Sequence, residues 1–432
     1  MGTRGISTRK IAVFCVLLFS VFSSGWSQTV KVVQDRSGGW EMTVDNKRFF
    51  VKGVNWSVNP PGVSFIFNLW DESDATIRRV IDAEGALMRE AGINAIKVGA
   101  DIPRKWVEYM YNKHGIYTII NYDMERWGAS ANGKYYFPTN YYVPGIRDNI
   151  RKKAREIVDR YMDAAGVLMY MYGNGNGHGF YFPEHENDPE TIAKYGVDPR
   201  FRKAKAFFSL LEEVFRITKE ADPYRPVGFL TNDLGWIDLL ADECPSMDYL
   251  GVNLGGDWGT NAAGPKFWQE AREKLNKPII MGSIGCDAWN SKLNSEDQYY
   301  QASWLVSLWK DIYENAYGKG QSNALGACVD EWTDQWYKND YETVLGAQVS
   351  KHDTTPTGKN PGYSYDYVEG QLNMTPEWRG ITSQGQRRYH SWFTQKLPRA
   401  SYYALQYIWS ADPWTLTPPP PPQVKPHGAK TR

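Results

Sequence analysis

The sequence predicts an α/β protein folded as a (β/α)8 barrel, also called a TIM barrel, on two observations. Eight short apolar runs alternate with eight longer stretches of amphipathic helical pattern. Roughly 390 residues lie between an N-terminal apolar segment and a proline-rich tail, a length ordinary for an elaborated barrel.

The first 27 residues stand apart. Arg4, Arg9 and Lys10 precede the apolar stretch from Ile11 to Phe22, and small residues follow from Ser23 to Ser27. This is the layout of a secretory signal peptide, and its apolar part is short for a membrane span. Cleavage near Ser27 is expected, which places the chain outside the cell or in a periplasm. Trp40 to Asn46 and Arg48 to Asn55 then read as a hairpin turning at Asp45-Asn46 and leading into a buried strand.

The barrel strands fall at Phe49–Val54, Ala95–Val98, Tyr117–Asn121, Val167–Tyr172, Pro226–Leu230, Tyr249–Asn253, Pro278–Met281 and Leu325–Val329. Helical patterns lie at Ala75–Ala91, Arg104–Lys113, Ile146–Ala164, Arg202–Glu220, Trp236–Ala241, Lys266–Leu275, Asp297–Ala316 and Arg399–Ile408. Two connections are long, Tyr122 to Gly145 after strand 3 and Gln335 to Trp392 after strand 8. Their Trp and Tyr content suits either sugar platforms lining a cleft or packed lids over the barrel end. The domain plan is a signal peptide at 1–27, one barrel at 28–414 and a tail at 415–432. Pro418 to Pro422 make the tail an extended, largely unfolded segment, a spacer or docking peptide at most.

Of 49 basic residues three lie in the signal segment, which leaves 46 against 49 acidic ones and a net charge near −3. That balance disfavours nucleic acid and anionic membrane surfaces, and no later stretch reaches membrane-spanning length. Cys244, Cys286 and Cys328 are too few for a disulfide scaffold and read as core thiols with at most one bridge. Aromatic residues make up 15% of the chain, with 18 Trp, which hints at carbohydrate because aromatic faces stack on sugar rings.

A family resemblance rests on "RFFVKGVNW" (Arg48 to Trp56), "LMREAGINAIKV" (Leu87 to Val98), "GVLMYMYGN" (Gly166 to Asn174), "DPYRPV" (Asp222 to Val227), "DYLGVN" (Asp248 to Asn253), "KPIIMGSIGCDAWN" (Lys277 to Asn290) and "DEWTDQWYK" (Asp330 to Lys338). In this order they resemble the catalytic barrel of family 2 glycoside hydrolases and their relatives in the retaining clan. The resemblance implies an acid/base Glu after the Asn that ends strand 4 and a nucleophilic Glu on strand 7. Retaining hydrolysis needs both, one carboxyl group to protonate the leaving oxygen and one about 5 Å away to attack the sugar carbon. Here the matching positions are Gly175, after Asn174, and Ser283. Lys97 stands where the clan carries an Arg, and Leu254 follows Asn253 where a Tyr is expected nearby.

Other carboxylates are candidates to stand in: Glu184 or Glu186 as the acid, and Asp287 or Glu331 as the second group, with Asp257, Asp330 and Asp334 also near strand ends. Ser283 lacks a neighbouring His in sequence to activate it. The resemblance also implies sugar contacts from Asn174, Asn253, Trp289, Trp332 and Trp336; barrel packing is the rival role for the three Trp. The alternation in "GNGNGHG" lacks the Lys-Ser/Thr of a phosphate loop. His178, His185 and Glu186 match no compact metal-ligand spacing, so neither metal nor cofactor is expected.

The expectation is therefore a secreted glycosidase-fold protein that has lost the standard pair and binds glycan or serves a structural role in the envelope or matrix. Its rivals are an active glycosidase or transglycosylase with relocated carboxylates and an assembly component that binds envelope proteins.

Overall fold

The computed structural model describes residues 28–63, 66–181, 189–232, 234–255, 263–290, 293–339, 376–390 and 392–415. The signal segment, Glu184, His185, Glu186, Asp257, most of the long connection after strand 8 and nearly all of the tail lie outside the described residues.

Eight parallel strands close into a barrel in chain order: Val51–Asn55, Ala95–Gly99, Tyr117–Tyr122, Val167–Tyr172, Val227–Thr231, Tyr249–Gly255, Ile279–Gly285 and Ala324–Val329. They are numbered strands 1 to 8 below. Strand 8 returns to strand 1 with Cys328 opposite Gly53 and Val329 opposite Val54. The expected strands and helices all appear, with ends shifted by a few residues. The strands are apolar on both faces because one face fills the barrel and the other packs on helices. Val51, Ala95, Ile119, Met169, Met171, Leu230, Tyr249, Ile280 and Cys328 form the inner cluster. Val54, Ile96, Ile120, Tyr170, Phe229, Leu250, Met281 and Val329 belong to the outer one.

The hairpin is part of a three-stranded antiparallel sheet, Val30–Gln34, Trp40–Val44 and Lys47–Phe49, whose first strand the sequence reading missed. Asp45 and Asn46 both take left-handed backbone angles, φ 50 and 63, the turn geometry that matches strand twist. The chain leaves the ladder at Phe50, so the hairpin and strand 1 are separate elements rather than one run from Phe49. Val30, Met42 and Val44 join the inner cluster, so this sheet caps the N-terminal end of the barrel.

The long connection after strand 3 contains a small hairpin, Ala129–Ala131 with Lys134–Tyr136. Beyond strand 8 two antiparallel strands pair, Thr382–His390 and Phe393–Pro398; the first lies inside the stretch expected to be a loop, Gln335 to Trp392. Cys244, Cys286 and Cys328 are free and buried. Among the described residues no helix is long and apolar enough to cross a membrane.

Candidate functional site at the mouth of the barrel

Side chains alternate along a strand, so the inner row of each barrel strand ends on a predictable residue at the C-terminal opening. Strand 1 ends its inner row on Asn55, strand 2 on Lys97 and strand 6 on Asn253, and a register shift after Met281 brings Ser283 of strand 7 into the same row. Asn121, followed by Asp123, continues strand 3, Asn232 continues strand 5, and Asp330 continues strand 8. Apart from Lys97, which is 9% exposed, these side chains are partly exposed, whereas most residues below them are buried. The mouth is thus ringed by carboxamides, which both donate and accept hydrogen bonds.

The amides hold one another. Asn253 Nδ2 donates to Asn174 Oδ1 at 3.1 Å and to Asn232 Oδ1 at 2.9 Å. Asn121 Nδ2 donates to the carbonyls of Met171 and Gly173. Asn176 is buried and acts as a strut: its Oδ1 accepts from Asn174 N, and its Nδ2 donates to Asp123 O and Tyr141 Oη. The glycines that alternate with these asparagines are required by the backbone. Gly173 and Gly175 have φ 79 and 71, and a Cβ on Gly175 would press into the Asn232 side chain, with Cγ and Oδ1 only 2.6 Å away.

On the opposite side, Asn55 Nδ2 donates to both Ser283 Oγ, 3.3 Å, and Asp330 Oδ1, 3.1 Å. Arg379 joins Asp287, 3.1 Å, to Asp330, 3.4 Å, and Lys338 pairs with Glu331. Burial pushes the Asp330 carboxyl up, but Lys338, Arg379, the Asn55 amide and Lys97 outweigh it and hold the pKa at about 2. Burial lifts Glu331 to about 8 despite Lys338. Burial also raises Asp123, and Glu125 adds to that shift. Lys97 goes the other way. Burial lowers its pKa against the pull of Cys328, Asp330 and Glu331, and it makes no hydrogen bond or ion pair among the described residues.

The expected site residues divide accordingly. Asn174, Gly175, Asn253 and Ser283 meet at the mouth. Asp287 and Glu331 are buried beside it in ion pairs, at 9% and 3% exposure. Trp289 is partly exposed and lies against Trp378, with ring centroids 4.9 Å apart. Trp336 is also partly exposed. Trp332 corrects the sequence reading: it is fully buried, its indole donates to Glu84 at 2.9 Å, and it presents no face to a sugar. Trp56 donates to the same carboxylate, at 2.8 Å, so Trp332 is part of the wall between barrel and helix. Asn55, Asn121, Asp123, Asn232 and Arg379 were not singled out from the sequence. Following the inner row to each strand end and one residue beyond would have found the first four.

No protein-family model and no curated protein matches the sequence. Solved structures do match. A β-D-glucuronidase from Dictyoglomus thermophilum superposes with TM-score 0.54 and 15% identity over 89% of this chain and 54% of that one. A β-glucuronidase from an uncultured Clostridium sp. gives 0.52 and 13% over 89% and 53%. A family 2 β-galacturonidase from Eisenbergiella tayi, bound to galacturonate, gives 0.53 and 11% over 89% and 54%. The fold is that of a family 2-like glycoside hydrolase barrel. The chain spans about half the length of these solved structures.

Proposed function

We propose that this protein binds a glycan in the mouth of its barrel without cleaving it by double displacement, as an exported component of the cell envelope or matrix. The observation that carries this reading is Gly175. At the position the family resemblance assigns to the acid/base, the backbone is left-handed and the space of a side chain is taken by the Asn232 amide. The nucleophile position is Ser283, whose neutral hydroxyl shares an amide donor with Asp330 and is bonded to no His among the described residues. A ring of amides suits sugar hydroxyls, which need donors and acceptors at the same point. The solved neighbours are described as enzymes for glucuronides or galacturonides, which supports a carbohydrate ligand.

One observation favours a second reading, a hydrolase with relocated carboxylates. Asp330 lies one amide away from Ser283 and is held ionised, while Asp123 on the far side has a raised pKa. Purified protein on a glycan array and on a panel of aryl glycosides separates the two. Binding without turnover is expected, and Asn232→Ala should abolish the binding. Turnover that disappears in Asp330→Asn or Asp123→Asn establishes the second reading, and neither binding nor turnover leaves the protein-assembly role.

A further inference from the structure

We infer that the groove between the start of helix Gln298–Glu314 and the start of helix Ala400–Trp409 is a second carbohydrate contact, which grips a glycan chain outside the barrel mouth. It rests on the reading of this protein as glycan-binding. The groove encloses about 480 Å³ and is flanked by Tyr299 and Tyr403, which are 83% and 57% exposed. Tyrosines this exposed leave much of the ring to solvent, and their rings offer apolar faces with a polar edge, the form that stacks on sugars.

Between them the lining is polar. Glu296 Oε1 accepts from Arg399 Nε at 2.5 Å, and Gln298 Oε1 accepts from Ala400 N at 3.0 Å. The Glu296 carboxylate keeps its second oxygen for a hydroxyl donor, and the Gln298 amide keeps its N–H groups for acceptors. A purely apolar partner surface would leave these groups unpaired, whereas a sugar satisfies both ring and floor.

The groove is also tied to the segment beside Asp287 at the mouth. Helices that follow barrel strands begin at the mouth end, so the groove opens on the outer rim beyond strands 7 and 8. Ala288, beside Asp287, donates its N–H to Trp378 O at 2.9 Å, and its carbonyl accepts from Asp297 N at 2.6 Å. The Arg399 guanidinium lies 5.6 Å from the Trp378 ring centre. The path inferred for a chain seated at the mouth runs past Trp289 and Trp378 toward the two tyrosines.

The test uses the whole protein in native gels cast with soluble xylan, mixed-linkage β-glucan, polygalacturonate or hyaluronan, beside calorimetry with the corresponding disaccharides. Tyr299→Ala/Tyr403→Ala should weaken retardation by a retained polymer at least about fivefold, the loss of two stacking rings. It should leave disaccharide affinity within about twofold, since the two sites share no side chain. Asn232→Ala should abolish disaccharide binding and leave part of the polymer retardation. If no disaccharide binds yet a polymer retards the protein and the double variant abolishes it, the mouth reading fails and the groove stands. Polymer retardation unchanged in the double variant overturns the groove, as does a wild type that no polymer retards. A shift of elution volume to a smaller species in the double variant, with retardation unchanged, overturns it in favour of a protein interface.

Discussion

Gly175 divides the possible chemistries of this barrel at the scale of one residue. Restoring a carboxylate there by Gly175→Glu puts a side chain on a left-handed backbone and forces the Asn232 amide aside. The strain alone costs about 1–3 kcal/mol. The variant is expected to unfold at lower urea than wild type and to gain no hydrolysis of aryl glycosides. Recovery of turnover by this single change would show that the mouth is an enzyme site one residue from activity. Lys97 supports a different expectation. Burial lowers the pKa of its ammonium from the ordinary 10.5, so the folded protein releases this proton at a lower pH than the unfolded chain does. The stability linked to Lys97 is therefore present above pH 10.5 and lost as pH falls through its folded pKa. Lys97→Met removes that dependence. Urea midpoints taken from neutral pH up to 10.5 should rise for wild type relative to the variant, and parallel curves would mean that the ammonium is fully solvated or paired.

At the scale of elements, the barrel strands were legible because burial on both faces writes them as short unbroken apolar runs. Val167–Tyr172, six buried residues, was placed without error. The strands after strand 8 were not legible. Thr382–His390 carries Gln384, Gln386, Arg387 and Arg388, with a largely exposed middle, and its pairing depends on a distant anchor rather than on its own pattern. That anchor is Arg399. Its guanidinium donates to Asp334 at 2.6 and 2.7 Å, to Gly380 O at 2.7 Å and to Glu296 at 2.5 Å, nearly all of it out of water. It thereby ties the segment after strand 8 to the last helix. Arg399→Met leaves Asp334 buried without its partner, and burial already lifts this carboxyl to about 6. A loss of about 3–5 kcal/mol is expected from chemical denaturation. A loss below about 1 kcal/mol would mean that Asp334 takes up a proton or reaches water once its partner is gone.

For the whole molecule, the two ends of the barrel are built differently, and they were unequally legible. Asn174 and Asn253 could be named from motif position, but the ring to which they belong needs the register of eight strands, and Asn55, Asn121 and Asn232 look ordinary in isolation. Trp332 shows the same limit from the other side: a Trp after strand 8 reads as a sugar platform until the buried Glu84 beneath it is seen. The opposite end is closed by the N-terminal sheet, whose Met42 is fully buried in the inner cluster with Val30 and Val44. In barrels of this type the C-terminal face holds the ligand and the N-terminal face supports the fold. Met42→Ala removes a filled volume from the cap and should cost about 2–5 kcal/mol, depending on how far the sheet relaxes into the gap. The mouth amides contact none of the cap residues, so the same variant should bind the glycan found on the array with unchanged affinity. Calorimetry below the variant's unfolding temperature checks this directly. An affinity that falls together with stability would mean that the cap transmits strain through the inner cluster to the mouth, and that the barrel behaves as one mechanical unit instead of two separable ends.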